Sequence, residues 1–159
     1  LTLIMTGIVY RFDDSVIRDH LARLMLLHAS GFDAARREIG EYMIGEIQDA
    51  LDDQKLEDGS PMPPSRAALT GAGRKGHTPG KTLIDKHHLY DSYVYQLAGV
   101  TGIEVGSALI YAAIHHFGGE TGRKGHRFNL PPRPVMGLGD RRERAIGSFL
   151  LDELKRAQM

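Results

Sequence analysis

Residues 91–107, DSYVYQLAGVTGIEVGS, decide the fold. They read as a strand, a glycine-containing turn and a second strand in which Ile103 and Val105 face opposite Glu104, which is the pattern of a β-hairpin. The flanking sequence has the helical period instead. Upstream, Ala35, Ile39, Tyr42, Met43, Ile47 and Ala50 form one stripe of a helix whose Arg36, Arg37, Glu41, Asp52 and Asp53 are expected in water. Helices bury such stripes, so Tyr42 and the methionines are read as packing rather than as a ligand box. An earlier helix, capped by Asp13 or Asp14, carries Ile17, Leu21, Leu24 and His28 at the same spacing, and SGFD at 30–33 ends it and starts the next. Downstream, YAAIHHFGG at 111–119 is a short helix that Gly118 terminates in a left-handed conformation. Asp140 with Glu143 resembles a capping box for a last helix bearing Ile146, Phe149, Leu150 and Leu154. The fold class is α+β, with amphipathic helices packed on a small antiparallel sheet.

The 159 residues suit one domain spanning 1–159. Its helical period is lost over an extended basic Gly/Pro-rich loop at about 57–86 and again in a second basic loop at about 118–130. A loop as long as the first is usually functional or disordered, which makes it the first place to seek partner contacts. Beyond them, LPPRPVMGLGD at 130–140 is held extended by its prolines. Twenty bases balance twenty acids, so no overall field draws the molecule to nucleic acid or to an anionic membrane. The charge is nevertheless segregated, with residues 1–60 acidic and residues 61–134 basic. The absence of cysteine excludes a disulfide framework, zinc-thiolate sites and a thiol nucleophile. No run approaches the roughly 20 apolar residues of a membrane span, and LTLIMTGIVY at 1–10 is expected to be a strand rather than a secretory signal.

The pentapeptide GRKGH occurs at 73–77 and at 122–126. Around the first copy, Gly71, Gly73 and Gly76 satisfy G-x-G-x-x-G, but prolines precede it and HTPG follows, where a dinucleotide site needs a strand before and a helix after. GHTPGKT at 76–82 imitates a phosphate loop with too short a spacing between its glycines. The histidine pairs His87–His88 and His115–His116 point their members about 100° apart on a helix, so each pair offers one ligand to a common centre, and no metal site is assigned. His20 and His28 are read as interfacial side chains of the first helix. Ser65, Ser92 and Ser107 lack a nucleophile-elbow setting, so no catalytic residue and no cofactor is expected. The sequences around the two GRKGH copies do not match, which leaves two solvated basic loops whose contacts fall to Arg74, Lys75, Arg123 and Lys124. A nucleic-acid-binding module using those cations is the alternative to a structural role.

EDGSPMPP at 57–64, KTLIDKHHLYDS at 81–92, IEVGSALIYAAIHHFGG at 103–119 and PPRPVMGLGD at 131–140 together resemble the phage virion morphogenesis or tail completion family of long-tailed phages and Mu-like prophages. The motif residues carrying the resemblance include Tyr111, Ala112, Ile114, His115, Phe117 and Gly118, then Pro131, Arg133, Pro134, Gly137 and Leu138. The sequence departs from that pattern at Met62, where the family commonly has tryptophan, and at Lys86–His87, where it has Thr-Gly. The resemblance implies a noncatalytic structural protein that completes the tail or the head-tail joint as a ring-forming homo-oligomer, expected to be a hexamer. Its implied partners are the tail tube and head-completion proteins, with transient contact to packaged DNA. Its implied location is the host bacterial cytoplasm during assembly and then the virion tail or neck. Arg133, fixed between Pro132 and Pro134, is expected to pair with a carboxylate either inside its own fold or on a neighbouring subunit. Tyr111, Ile114 and Phe117 are expected to dock the short helix on the hairpin.

Overall fold

A computed structural model describes residues 13–73, 75–77 and 79–159. The expected opening strand and Arg74 lie outside the described residues. Helix α1 (Ser15–Ser30) and helix α2 (Asp33–Asp52) meet at Gly31, whose φ of 61° ends α1 in the left-handed conformation. A side chain there would also collide with the chain, because a Cβ would lie 1.9 Å from the Val100 carbonyl oxygen. The expected stripe of α2 is buried at Ala35, Ile39, Met43, Ile47 and Ala50, while Tyr42 is half-buried with its ring 5.6 Å from that of Phe149.

Strands β1 (Tyr93–Ala98) and β2 (Gly102–Ser107) form the expected hairpin, with Tyr95 opposite Val105 and Gln96 opposite Glu104. The hairpin packs across α2. Gly40 makes the close approach possible, since a Cβ there would fall 2.3 Å from the Tyr95 ring. The chain continues through α4 (Ala112–Phe117), a second antiparallel hairpin of β3 (Gly119–Arg123) and β4 (His126–Leu130), an extended linker, and α5 (Asp140–Gln158), which packs on α1 and α2. A one-and-a-half-turn helix, α3 (Arg66–Thr70), interrupts the long loop and is capped by Ser65, whose Oγ accepts the Ala68 amide at 3.1 Å.

The long loop supplies part of the core. Met62, Ile84 and Leu89 are buried with Ile47, Leu51, Tyr93 and Val135 in one cluster. Met62 thereby fills an apolar site where the resembled family commonly places tryptophan. Gln54 acts as a surrogate strand partner for the loop, accepting the Thr82 amide at 2.6 Å and donating to the Thr82 carbonyl at 3.1 Å.

Four local expectations are corrected. Arg36 is buried at 5% exposure, not solvated, because it donates to the Gly99 and Gly102 carbonyls of the β1–β2 turn at 3.1 and 3.2 Å and pairs with Asp33. In α1 the buried residue is Leu27, while Ile17 and Leu21 are each 53% exposed, because the helix touches α5 along a different face from the one the spacing picks out. Asp14 occupies the cap position of α1, but its carboxylate pairs with Arg18, and Asp13 accepts the Ser15 amide. The capping box of α5 is not formed, because Gly139 is the cap and Asp140 already lies inside the helix, so both acids serve only the first-turn dipole.

Candidate functional site

The motif residues between Tyr111 and Gly137 surround the linker at 131–139. Its backbone has no strand partner, so its polar groups need other neighbours. The Arg133 amide donates to the His115 carbonyl at 2.9 Å, which ties the linker to the end of α4. The Arg133 side chain turns inward to 3% exposure, donating from Nε to the Pro63 carbonyl at 2.7 Å and from Nη2 to the Pro64 carbonyl at 3.5 Å. Pro132 and Pro134 restrict the backbone that carries Arg133, and among the described residues no backbone amide donates to the Pro63 or Pro64 carbonyl that the guanidinium reaches. Arg133 is therefore a clamp within its own fold, and its bonds run to carbonyls rather than to the carboxylate expected. Burial lowers its pKa from the ordinary arginine value.

His115 sits beside the clamp with its ring edge-on to Tyr111, centroids 6.0 Å apart. Burial, and then the positive charge of Arg133, hold its pKa below the ordinary histidine value, and among the described residues its buried Nδ1 has no hydrogen-bond partner. Tyr111, His115 and Arg133 share the lining of a cavity of about 360 Å³ with Leu83, Ile84 and Leu89. Gly118 follows with φ 70° and ψ −173°, a region open essentially to glycine alone, and a Cβ there would lie 2.7 Å from the Pro132 nitrogen. Pro134 accepts the Glu57 amide at 2.9 Å, and Gly137 leaves room for the Glu57 carboxylate. Phe117 does not dock as expected: it is 77% exposed, with His116 as its ring neighbour, whereas Ile114 is half-buried and a Cβ on Gly119 would touch it. Tyr111 does not dock fully either, being 42% exposed, so of the three expected residues Ile114 is the one turned inward.

Sequence reasoning missed Arg142. It is 3% exposed in the first turn of α5 and donates to the Gly137 carbonyl at 2.9 Å, to the Val135 carbonyl at 3.4 Å and to Glu46 at 3.3 Å. Arg141 closes on the same carboxylate through two bonds, and hydrogen bonding from Arg141 is the largest of the causes that lower the Glu46 pKa. The signal that could have found Arg142 is the linker itself, whose carbonyls need donors and have arginines just beyond them in sequence.

The two GRKGH copies fold differently. The first lies in a tight 3-10 turn (Lys75–His77) with Lys75 exposed. The second is not an irregular loop but the end of the β3–β4 hairpin, with Arg123 paired to His126 across a Lys124–Gly125 turn. The glycines at equivalent places have positive φ in both copies, 82° and 77° at Gly73 and Gly76, 109° and 83° at Gly122 and Gly125. Arg123 and Lys124 are exposed, and among the described residues neither side chain forms an ion pair or hydrogen bond. Nothing brings them against Lys75 in a shared bond. A second cleft, of about 700 Å³, opens between the end of α2, the turn after it and the start of α5.

Among the described residues no group of three or more histidine, aspartate or glutamate side chains is placed to hold a metal, and no helix is long and apolar enough to cross a membrane. A family model described as the phage virion morphogenesis family matches residues 12–155. No curated protein and no solved structure matches the chain. The chain belongs to the phage virion morphogenesis family, which is a structural family and not an enzyme family, and membership implies a tail-related structural role.

Proposed function

We propose that this member of the phage virion morphogenesis family is a noncatalytic subunit that completes the tail, or the joint between tail and head, as a closed homomeric ring. The observation that carries the reading is the family match across residues 12–155. Local chemistry agrees with it. The motif residues Arg133, Gly118 and Gly137 act on the fold's own backbone, while unpaired cations and apolar side chains remain on the outside for contact with other proteins. Head-to-tail contacts between identical subunits close into rings when the rotation closes, and a hexamer matches the symmetry the resemblance implies. The neighbours are the tail tube and head-completion proteins, met in the host cytoplasm during assembly and kept in the virion tail or neck. Packaged DNA then passes the ring and touches its basic loops transiently.

Electron microscopy of purified protein mixed with tail tubes tests this directly. The expected result is a ring capping one end of each tube, with infectivity restored when the protein is added to particles lacking it. A protein that stays monomeric alone and with tubes, and restores nothing, overturns the proposal. A salt titration separates the nucleic-acid reading. A DNA-binding module loses affinity steeply as salt rises, whereas ring assembly proceeds without DNA.

A further inference from the structure

The β3–β4 hairpin is poorly supported by its own chain. Only Thr121 and Leu130 in its strands are partly buried, and Phe128 is 56% exposed. Among the described residues, neither strand pairs with anything but the other. A lone two-stranded hairpin is marginal in water, so an arm of this kind, about 17 Å long, is expected to find cover in an assembly. Its tip carries Arg123 and Lys124, which have no side-chain partner among the described residues, while Arg127 behind them is engaged with Glu120 at 3.2 Å.

The opposite charge is gathered elsewhere on the same molecule. The cleft of about 700 Å³ between α2 and α5 is lined by Asp49, Asp53, Glu57, Asp58 and Asp140. Two of the cleft's arginines, Arg141 and Arg142, are already bound to Glu46, and its lysine, Lys55, is paired with Asp53, which leaves Arg144 as its further cation. With Glu46 and Asp53 set against these partners, Asp49, Glu57, Asp58 and Asp140 face Arg144, so the acids outweigh the bases available to a visitor.

We infer that the β3–β4 hairpin is the joining arm of the assembly, and that its Arg123–Lys124 tip enters the acidic cleft of a second copy of this chain. The inference rests on the self-assembly proposed above and names its interface. A second copy is favoured over DNA because zero net charge is here divided between two separate surfaces of opposite sign, which DNA would match at the arm and not at the cleft. Because arm and cleft are different surfaces, the contact is head-to-tail.

The chain contains no cysteine, so Lys124→Cys and Asp53→Cys report on this contact alone. With both changes in one chain, mild oxidation of the assembled protein, alone or on tail tubes, is expected to give a ladder of covalently linked subunits. Mixing the two single variants is expected to give only a linked dimer. Separately, Arg123→Glu with Lys124→Glu, or Asp49→Lys with Asp53→Lys, should weaken association at least about tenfold, and a mixture of these two variants should recover it with the two chains alternating, since each arm is then complementary to the other chain's cleft. Placing all four reversals in one chain should restore association. Circular dichroism checks that these exposed changes leave folding intact, and the cysteine pair answers independently of them. Rings that form without the cross-link and survive both reversals overturn this inference while leaving ring assembly standing. A chain that is monomeric under every condition overturns both.

Discussion

The linker at 131–139 and the β3–β4 hairpin are neighbours in sequence and both carry arginine beside glycine or proline, yet they hold their cations in opposite ways. Arg133 is 3% exposed and bound to the carbonyls of Pro63 and Pro64. Arg123, at the hairpin end, is exposed. The strands of the hairpin pair their facing backbone groups and expose their outer edges to water, so the arm has no need of a guanidinium. The linker and the Pro-Pro segment have no such ladder, and an arginine is the side chain able to serve several carbonyls at once. Arg36 and Arg142 repeat the solution at the β1–β2 turn and at the end of the linker. Buried arginine in this fold therefore marks backbone that lacks a partner, and exposed arginine marks backbone that has one.

The sharpest way to break this contrast is to remove each arginine in turn. Arg133→Ala should cost about 2–4 kcal/mol, because buried carbonyls lose a charged donor, while Arg123→Ala should stay within about 0.5 kcal/mol. Denaturant titration of the two variants measures both, and equal small losses would dissolve the distinction.

The glycines sharpen it next. Gly118→Ala should cost about 2 kcal/mol, since the new Cβ meets linker backbone at 2.7 Å in a conformation closed to alanine. Gly125→Ala, at the hairpin turn with open space around it, should cost about 1 kcal/mol from its positive φ alone. Thermal unfolding that ranks these two in reverse would show the hairpin to be the more constrained region.

A smaller effect should appear at His87, in the pinned part of the chain, which has a φ of 61° where the resembled family has glycine. His87→Gly should stabilise by about 0.5 kcal/mol, the relief of left-handed strain exceeding the gain in unfolded-chain freedom. Loss of stability in the same assay would mean that the edge-on contact of His87 with Tyr90 outweighs the strain.

Acid should distinguish the regions more gently. Burial and Arg133 depress the His115 pKa from 6.5, so the unfolded chain takes up a proton before the folded one does. The stabilisation is complete above pH 6.5 and is lost as pH falls below it through the folded value. His115→Gln should flatten the dependence of stability on pH just below 6.5, as followed by denaturant titration across that range. The smallest effect is expected from changing Arg74, Lys75, Arg123 and Lys124 together to glutamine. Stability should move by no more than about 0.5 kcal/mol per site, while particle assembly is impaired. Collapse of the fold would place these cations with the buried arginines after all.

What the sequence made legible was whatever one element's own pattern determines. The stripe of α2, the alternation at Ile103 to Val105 and the stop at Gly118 each report a local period or a local backbone requirement, and all three stand in the structure. Arg36 was not legible because the carbonyls that bury it lie 63 and 66 residues away, and charge alone argues for water. The β3–β4 strands escaped notice because GETGR and HRFNL have almost no apolar alternation, so backbone pairing is nearly all that defines them. At the candidate site the proline-held Arg133 could be singled out, but its partners could not, since a carbonyl acceptor leaves no mark in the identity of a side chain.

The clamp on Pro63 and Pro64 also sets an order of events. Its donor is made 70 residues after the first of its acceptors, and Val135, which completes the core around Ile47 and Leu51, arrives later still. During synthesis α2 and the first hairpin can form from nearby residues, and Gln54 can already hold Thr82, but the Pro63–Pro64 end of the long loop lacks its clamp until the linker has emerged. Ends so far apart in sequence meet slowly because loop closure must precede the contacts that reward it. Locking of the loop is thus a late step in folding, and a nascent chain halted before Arg133 should have its loop cut by protease while α2 is already protected.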